Sequence, residues 1–182
     1  MSQQAITLAG VGGQGSILAG VILGSAAVTY DHKYAVQTQA YSAELRGGFA
    51  AAWVIVSDQP VLFPRVTRPD VLVAQAQDSI DRFANTVKPQ GTLIFDSDLI
   101  RTVPDSIQNA YGVPATSLAR NRIKDMIVTN MIMLGALCRV TEVVSRKALE
   151  TAIAAAVPKG KVDMNYQAFA LGYDTVKPLN PE

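Results

Sequence analysis

The chain has 182 residues, of which 49% are hydrophobic and 17% are charged, and its net charge at pH 7 is +1. This length suits one domain with its own core, and we expect a single domain over residues 1–182. The charged fraction lies below the roughly 25% typical of soluble domains, so we expect apolar surface to remain for partner proteins. No cluster of Lys and Arg resembles a nucleic-acid footprint, which argues against a nucleic-acid ligand.

Cys138 and His32 are the only cysteine and the only histidine. One thiol cannot close an intrachain disulfide or hold an iron–sulfur cluster by the usual four cysteines, so any redox groups of the system must lie on other chains. The N-terminus lacks the basic region of a signal peptide, and the most apolar run, Met126–Leu137, is too short to cross a bilayer. We therefore expect a soluble, cytoplasmic protein with no membrane partner.

The first third of the chain predicts a strand, a glycine-rich loop and a helix, followed by two strands joined too closely to hold a crossover helix. Such strands are antiparallel neighbours. In order, these elements are Ala5–Ala9, Gly10–Gly15, a helix from Gln14, Tyr34–Gln39 and Phe49–Val56.

From Asp70 onwards the pattern alternates between strands and helices. The predicted strands are Val71–Ala74, Thr92–Phe95 and Gln108–Val113, and the predicted helices are Asp78–Val87, Thr116–Ile123, Met126–Val140, Ser145–Val157 and Asp163–Leu171. This alternation predicts an α/β, Rossmann-like fold: a largely parallel sheet with helices on both faces and a short antiparallel strand pair.

The glycine loop carries the strongest chemical signal. Gly10, Gly12 and Gly15 match G-x-G-x-x-G between a predicted strand and a predicted helix. Glycine tolerates positive φ and lets backbone N–H groups approach a phosphate, and the helix N-terminus adds the positive end of its dipole. Gly13 and the side-chain amide of Gln14 extend this candidate anion site. Alternatively, the glycines only permit a tight turn and close packing.

A nicotinamide dinucleotide is a weaker interpretation of the same loop. Dinucleotide sites usually place a carboxylate at the end of the second strand, about 20 residues on, to bind the ribose hydroxyl. The stretch Tyr34–Ala40 contains no carboxylate, since Asp31 precedes it and Glu44 follows it.

A second candidate loop, Tyr41–Gly48, places Glu44 and Arg46 beside two consecutive glycines. The planar guanidinium of Arg46 can hold a carboxylate or a phosphate in a bidentate manner. It can equally fix the loop by pairing with Glu44 or by capping backbone carbonyls, and the residues alone leave both interpretations open.

Together these segments resemble the gamma subunit of 2-oxoacid:ferredoxin oxidoreductases. The resemblance extends in order over nearly the whole chain, although Tyr41-Ser42-Ala43-Glu44 departs from the family's usual Tyr-Gly-Pro-Glu or Ser-Pro-Glu. The segments that carry it are Gly10–Gly15, Glu44–Gly48, Asp70–Ala74, Thr129–Ala136, Asn165–Phe169 and Gly172-Tyr173.

The resemblance implies a CoA-dependent complex that decarboxylates a 2-oxoacid such as pyruvate or 2-oxoglutarate and passes electrons to ferredoxin. Thiamine diphosphate and iron–sulfur clusters are then expected on partners only, which are alpha, beta and ferredoxin-like delta subunits in a hetero- or homo-oligomer. In this chain Gly12, Gly13, Gln14 and Gly15 become candidates for binding a CoA phosphate. Glu44 and Arg46 become candidates for facing a partner subunit or the cofactor.

Two alternatives remain from the sequence: a purely structural assembly subunit, or a free-standing nucleotide-binding protein. Elsewhere, Met126, Met131 and Met133 are expected in the core or at a subunit interface, and Cys138 is expected to be a buried packing residue. Asn130 is expected to be a satisfied buried amide bonded to a neighbouring loop.

Overall fold

A computed structural model describes residues 3–42 and 47–179. Seven strands form one sheet in the order β2-β3-β1-β4-β5-β6-β7. Their bounds are β1 Gln3–Val11, β2 Tyr34–Tyr41, β3 Phe49–Ser57, β4 Val71–Ala74, β5 Thr92–Asp96, β6 Asn109–Val113 and β7 Lys177–Pro178. Strands β1, β4, β5 and β6 are mutually parallel. The predicted α/β fold with a largely parallel sheet is confirmed.

The predicted antiparallel pair is also confirmed, and its strands are long. Strands β2 and β3 pair over eight residues, from Tyr34 opposite Ser57 to Tyr41 opposite Ala50. Strand β3 then pairs antiparallel with β1, so this hairpin extends the parallel sheet on the side of β1. Tyr34, Thr38, Gln39 and Tyr41 are exposed because β2 is the last strand on that side.

Helices cover both faces of the sheet. The α-helices are α1 Ser16–Ser25, α2 Gln77–Phe83, α3 Ala115–Leu118, α4 Thr129–Thr141, α5 Arg146–Ala156 and α6 Val162–Thr175. Helices α1, α3, α4, α5 and α6 share one apolar core with Ile6, Leu8 and Phe169. Helix α2 packs on the opposite face, where Leu72, Leu93 and Phe95 form a second core.

Several predicted helices differ at their ends. The helix predicted over Thr116–Ile123 is a short α-helix that continues as a π-helix over Ala119–Ile123, and the one predicted over Met126–Val140 opens with a 3₁₀ turn, Met126–Val128. Asp125 caps the 3₁₀ turn by accepting a hydrogen bond from the Ile127 N–H at 3.0 Å, and Ser145 caps α5. Within residues 3–42 and 47–179, no helix is long and apolar enough to cross a membrane.

The candidate phosphate-binding loop

The glycine loop joins β1 to α1 at the carboxyl edge of the parallel strands. Strand β1 ends at Val11 and α1 begins at Ser16. Strand β4 lies next to β1 and also ends at this edge, where Gln75 follows it. The start of β3 approaches from the other side, because the Gly12 N–H donates to the Gly48 carbonyl at 2.7 Å. In open α/β sheets, ligands usually bind at this edge.

The backbone of the loop leaves several N–H donors open. Gly13 has φ 100° and Gly15 has φ 75°, both in the region that favours glycine. The first helical hydrogen bond runs from the Ala19 N–H to the Gly15 carbonyl at 3.0 Å. No side chain caps α1. The N–H groups of Gly15, Ser16 and the next two residues therefore have no partner within the helix, which is the usual arrangement of an anion site.

The glycines of the loop meet different surroundings. A Cβ built at Gly13 has no heavy atom within 4 Å, so the space outside the loop is open there. Gly10 and Gly15 are instead enclosed: a Cβ at Gly10 would meet Gln14 and Ser16, and one at Gly15 would lie 2.9 Å from Cγ of Asn130. Close packing explains these two glycines, whereas only the open surroundings of Gly13 suit the approach of a ligand.

Gln14 holds the loop together with its side chain. Its Oε1 accepts a hydrogen bond from the Val11 N–H at 2.8 Å, and its Nε2 donates to the Gln75 carbonyl at 3.0 Å. Both ends of the amide therefore have partners within the protein. In this arrangement the Gln14 side chain shapes the loop, and an anion would be held by backbone N–H groups.

Two buried side-chain amides donate hydrogen bonds to the loop and to the start of α1. The sequence analysis did not assign either of them to the site. Asn130, at the start of α4, donates from Nδ2 to the Gly15 carbonyl at 3.2 Å. Asn130 is therefore a buried amide that contacts a neighbouring loop, as expected, and that loop is the glycine loop itself. The expectation that the amide is satisfied is wrong, because its Oδ1 has no hydrogen-bond partner among the described residues. Gln75 donates from Nε2 to Oγ of Ser16 at 2.8 Å. Its position directly after a buried strand was the one available signal.

The strand that would carry a carboxylate for a ribose hydroxyl, β4, is not followed by one. The parallel neighbour of β1 is β4, whereas β2, the strand considered in the sequence, lies beyond β3. Gln75, rather than Asp or Glu, follows the end of β4. The argument against a dinucleotide site therefore holds at the position where the fold would place the carboxylate.

The acidic residues at the end of β5 form structural hydrogen bonds to the segment that follows β6. Asp96 is fully buried and accepts hydrogen bonds from the Thr116 hydroxyl at 2.6 Å and from the Thr116 N–H at 3.2 Å. Burial raises the pKa of Asp96, although these hydrogen bonds oppose the shift. The neighbouring Asp98 accepts from the Ser117 N–H at 2.6 Å. Both carboxylates thus tie β5 to the start of α3, and among residues 3–42 and 47–179 no group of three His, Cys, Asp or Glu could hold a metal ion.

Comparison with known proteins agrees with this geometry. The family described as pyruvate ferredoxin/flavodoxin oxidoreductase matches residues 5–175. The chain belongs to this family. It is 47% identical over 176 residues to the 2-oxoglutarate synthase subunit KorC of Methanocaldococcus jannaschii, covering 96% of this chain and 94% of KorC.

Solved structures show the same fold in gamma subunits. The crystal structure of the keto/oxoacid ferredoxin oxidoreductase gamma subunit from Geobacter sulfurreducens matches with a TM-score of 0.88 and 38% identity, over 96% of this chain and 97% of that one. The 2-oxoglutarate:ferredoxin oxidoreductase from Magnetococcus marinus, solved with 2-oxoglutarate, coenzyme A and succinyl-CoA bound, matches with a TM-score of 0.84 and 24% identity, over 96% of this chain and 31% of that one. The second likeness concerns the fold alone. The resemblance drawn from the sequence is confirmed, and the chain is the gamma subunit of a multi-subunit 2-oxoacid:ferredoxin oxidoreductase.

In this gamma subunit Glu44 and Arg46 lie outside the described residues, so their predicted contacts stay predictions. The residues on either side are placed: β2 ends at Tyr41, and Phe49 at the start of β3 lies opposite Val11. The ends of these strands therefore lie at the same edge of the sheet as the glycine loop.

Proposed function

We propose that this gamma subunit supplies the loop that binds a phosphate of coenzyme A in a cytoplasmic 2-oxoacid:ferredoxin oxidoreductase complex. Thiamine diphosphate and the iron–sulfur clusters belong to its alpha, beta and ferredoxin-like delta partners, and ferredoxin accepts the electrons. The 47% identity to a 2-oxoglutarate synthase subunit makes 2-oxoglutarate the first substrate to test. The Magnetococcus enzyme of the same fold, solved with coenzyme A, suggests the ligand to use as a probe.

The uncapped start of α1 carries this proposal. Gly13 and Gly15 turn the backbone through positive φ, and the helix that follows has no side-chain cap. Its free N–H groups and the positive end of its dipole suit an acceptor-only anion such as a phosphate. The chemistry that coenzyme A supplies when bound is its thiol, which takes up the acyl group. The residues of this chain contribute binding and orientation.

Arg46 and Glu44 remain candidates for a contact with the cofactor or with a partner subunit. A guanidinium at this edge would add a charge-assisted contact to a phosphate, or it would pair with a carboxylate of a partner subunit. Gly12 and Gln14 support the loop in either case, since both are hydrogen-bonded across its base.

The alternative of a purely structural assembly subunit has its own supporting observation. Gly10 and Gly15 are explained by packing alone, and both ends of the Gln14 amide are bonded within the protein. If the loop binds no ligand, these contacts suffice to account for three of its residues.

The Gly13→Val variant separates the two functions. A side chain at Gly13 meets no neighbouring atom and enters the space that a phosphate would occupy, but the φ of 100° strains any residue other than glycine there, so only complexes shown to be intact are compared. We expect the KM for CoA of the assembled complex to rise, with a smaller change in the KM for the 2-oxoacid. The control is Gly13→Ala, which imposes the same positive φ on an L residue but adds only a methyl group to the open space. An intact Gly13→Val complex with the wild-type KM for CoA would favour the structural alternative.

A further inference from the structure

The glycine loop is held by two buried side-chain amides that each leave an oxygen unpaired. Asn130 and Gln75 are 2% and 1% exposed. Each uses its NH₂ group to bond the loop, Asn130 to the Gly15 carbonyl and Gln75 to the Ser16 hydroxyl. The Oδ1 of Asn130 and the Oε1 of Gln75 have no hydrogen-bond partner among residues 3–42 and 47–179.

Unpaired buried carbonyl oxygens are costly, and few occur in native proteins. An apolar side chain of the same shape would avoid this cost at both positions, because a Leu matches the shape of Asn and a Met approximates that of Gln. The loss of the hydrogen bond to Gly15 would leave no unpaired group behind, since the Gly15 carbonyl also accepts from the Ala19 N–H at 3.0 Å. Stability of the fold therefore does not explain Asn130. Gln75 differs, because its NH₂ group is the hydrogen-bond partner of the buried Ser16 hydroxyl.

The hydrogen bonds of Asn130 and Gln75 fix the orientation of the backbone N–H groups of the loop. In a trans peptide the C=O and the following N–H point in opposite directions. When Asn130 holds the Gly15 carbonyl toward the protein, the Ser16 N–H must point out of the start of α1. Gln75 fixes Ser16 from the other side, and its own carbonyl receives Nε2 of Gln14 at 3.0 Å. Residues 14, 15 and 16 are thereby each tied to Gln75 or Asn130.

We propose that Asn130 and Gln75 are positioning residues that hold the N–H donors of the glycine loop in the orientation required to bind the CoA phosphate, Asn130 at the expense of fold stability. This inference rests on the proposed function. It adds that affinity for CoA and stability of the fold are opposed at Asn130, which is a recurrent trade-off at functional sites.

The test uses the complete complex carrying Asn130→Leu or Gln75→Met in this subunit. We expect both variants to weaken CoA binding by roughly 3- to 10-fold, the loss of one hydrogen bond, while the thermal midpoint of the Asn130→Leu complex stays the same or rises. CoA affinity is measured by calorimetric titration of the intact complex, and independently by the KM for CoA. The KM for the 2-oxoacid should change less.

Thr7→Val is the matched control. Thr7 is 1% exposed in β1, and its hydroxyl also has no hydrogen-bond partner among the described residues. Replacing it with Val should raise or preserve the thermal midpoint in the same way, without changing CoA affinity.

Gly13→Val, measured in the same series, distinguishes a failure of the positioning role from a failure of the proposed function. If Gly13→Val weakens CoA binding while Asn130→Leu and Gln75→Met bind CoA normally, the positioning role is overturned and the loop remains the site. If Asn130→Leu lowers the thermal midpoint in proportion to its loss of affinity, Asn130 is an ordinary structural residue and the inference again fails. If Gly13→Val also binds CoA normally, the proposed function itself is overturned.

Discussion

The single cysteine of this chain is chemically protected by its position. Cys138 lies in α4 with 2% exposure, and its Sγ is 3.8 Å from the Val144 carbonyl. Burial raises the pKa of the thiol from 9.0 to about 11. The reactive thiolate is therefore scarce at neutral pH, as expected for a packing residue rather than a redox centre.

This raised pKa predicts a specific loss of stability in alkali. A group whose pKa is higher in the folded state contributes stability that is complete below its unfolded value of 9.0 and is lost as the pH rises through about 11. The effect of one such group is on the order of 2 kcal/mol. We expect the free energy of unfolding, measured by denaturant titration between pH 8 and about 11, to fall more steeply for the wild type than for Cys138→Ala. Parallel curves for the two proteins would contradict the assignment.

The sequence predicted the chemistry of single residues better than their partners. Met131 and Met133 lie in the core, one of the two places expected for them, because the helix that carries them is apolar nearly all round. Gln75 was not predicted as part of the site. Its partner Ser16 lies 59 residues away in sequence, and no local pattern encodes a contact of that range.

At the scale of helices, α4 and α6 approach each other closely at two glycines. A Cβ at Gly135 would collide with the backbone of Phe169, and one at Gly172 would collide with the backbone of Ile132. The two helices therefore approach so closely that neither position accepts a side chain.

Alanine substitutions test this crossing. We expect Gly135→Ala and Gly172→Ala each to destabilise the fold by about 1–3 kcal/mol or more, because backbone atoms of the opposite helix cannot rotate away. Gly24→Ala is the matched control, since Gly24 is also helical but meets nothing within 4 Å. That change should stabilise the protein by roughly 0.5–1 kcal/mol. Denaturant unfolding of the three variants provides the measurement, and equal effects at all three positions would rule out the close crossing.

Most elements could be predicted from the sequence, and the misses have physical causes. Strand β4 was predicted with its observed bounds, because four apolar residues between polar turns leave little choice. The final helix was predicted to end at Leu171 but continues to Thr175, since Gly172 reads as a terminator although it serves the crossing with α4. Strand β7 was missed because a two-residue strand has no periodicity to detect.

At the scale of the whole molecule, the residues of the candidate site lie at one edge of the sheet. The loop after β1, the residue after β4 and the start of β3 converge there. The glycine motif predicted the first of these. The position of β4 beside β1 follows from long-range strand pairing, which is why the rest of the site appeared only in three dimensions.

We expect the isolated chain to have no redox activity. The reasons are its single cysteine, its single histidine and the lack of any cofactor motif besides the glycine loop. Reduction of a viologen dye with 2-oxoglutarate and CoA should require the partner subunits, with the assembled complex as the positive control. Turnover by the purified polypeptide alone would contradict this division of labour.

The outer edge of β2 has a practical consequence for producing this protein. Strand β2 is the last strand on its side, and Tyr34–Tyr41 contains neither a charged residue nor a proline. Natural proteins usually blunt such edges with lysine, proline or a bulge, since an open edge recruits further strands and leads to aggregation. Material made without its partners should therefore be lost to strand-by-strand association, and a lysine at the exposed Thr38 or Gln39 is the simplest way to keep it in solution.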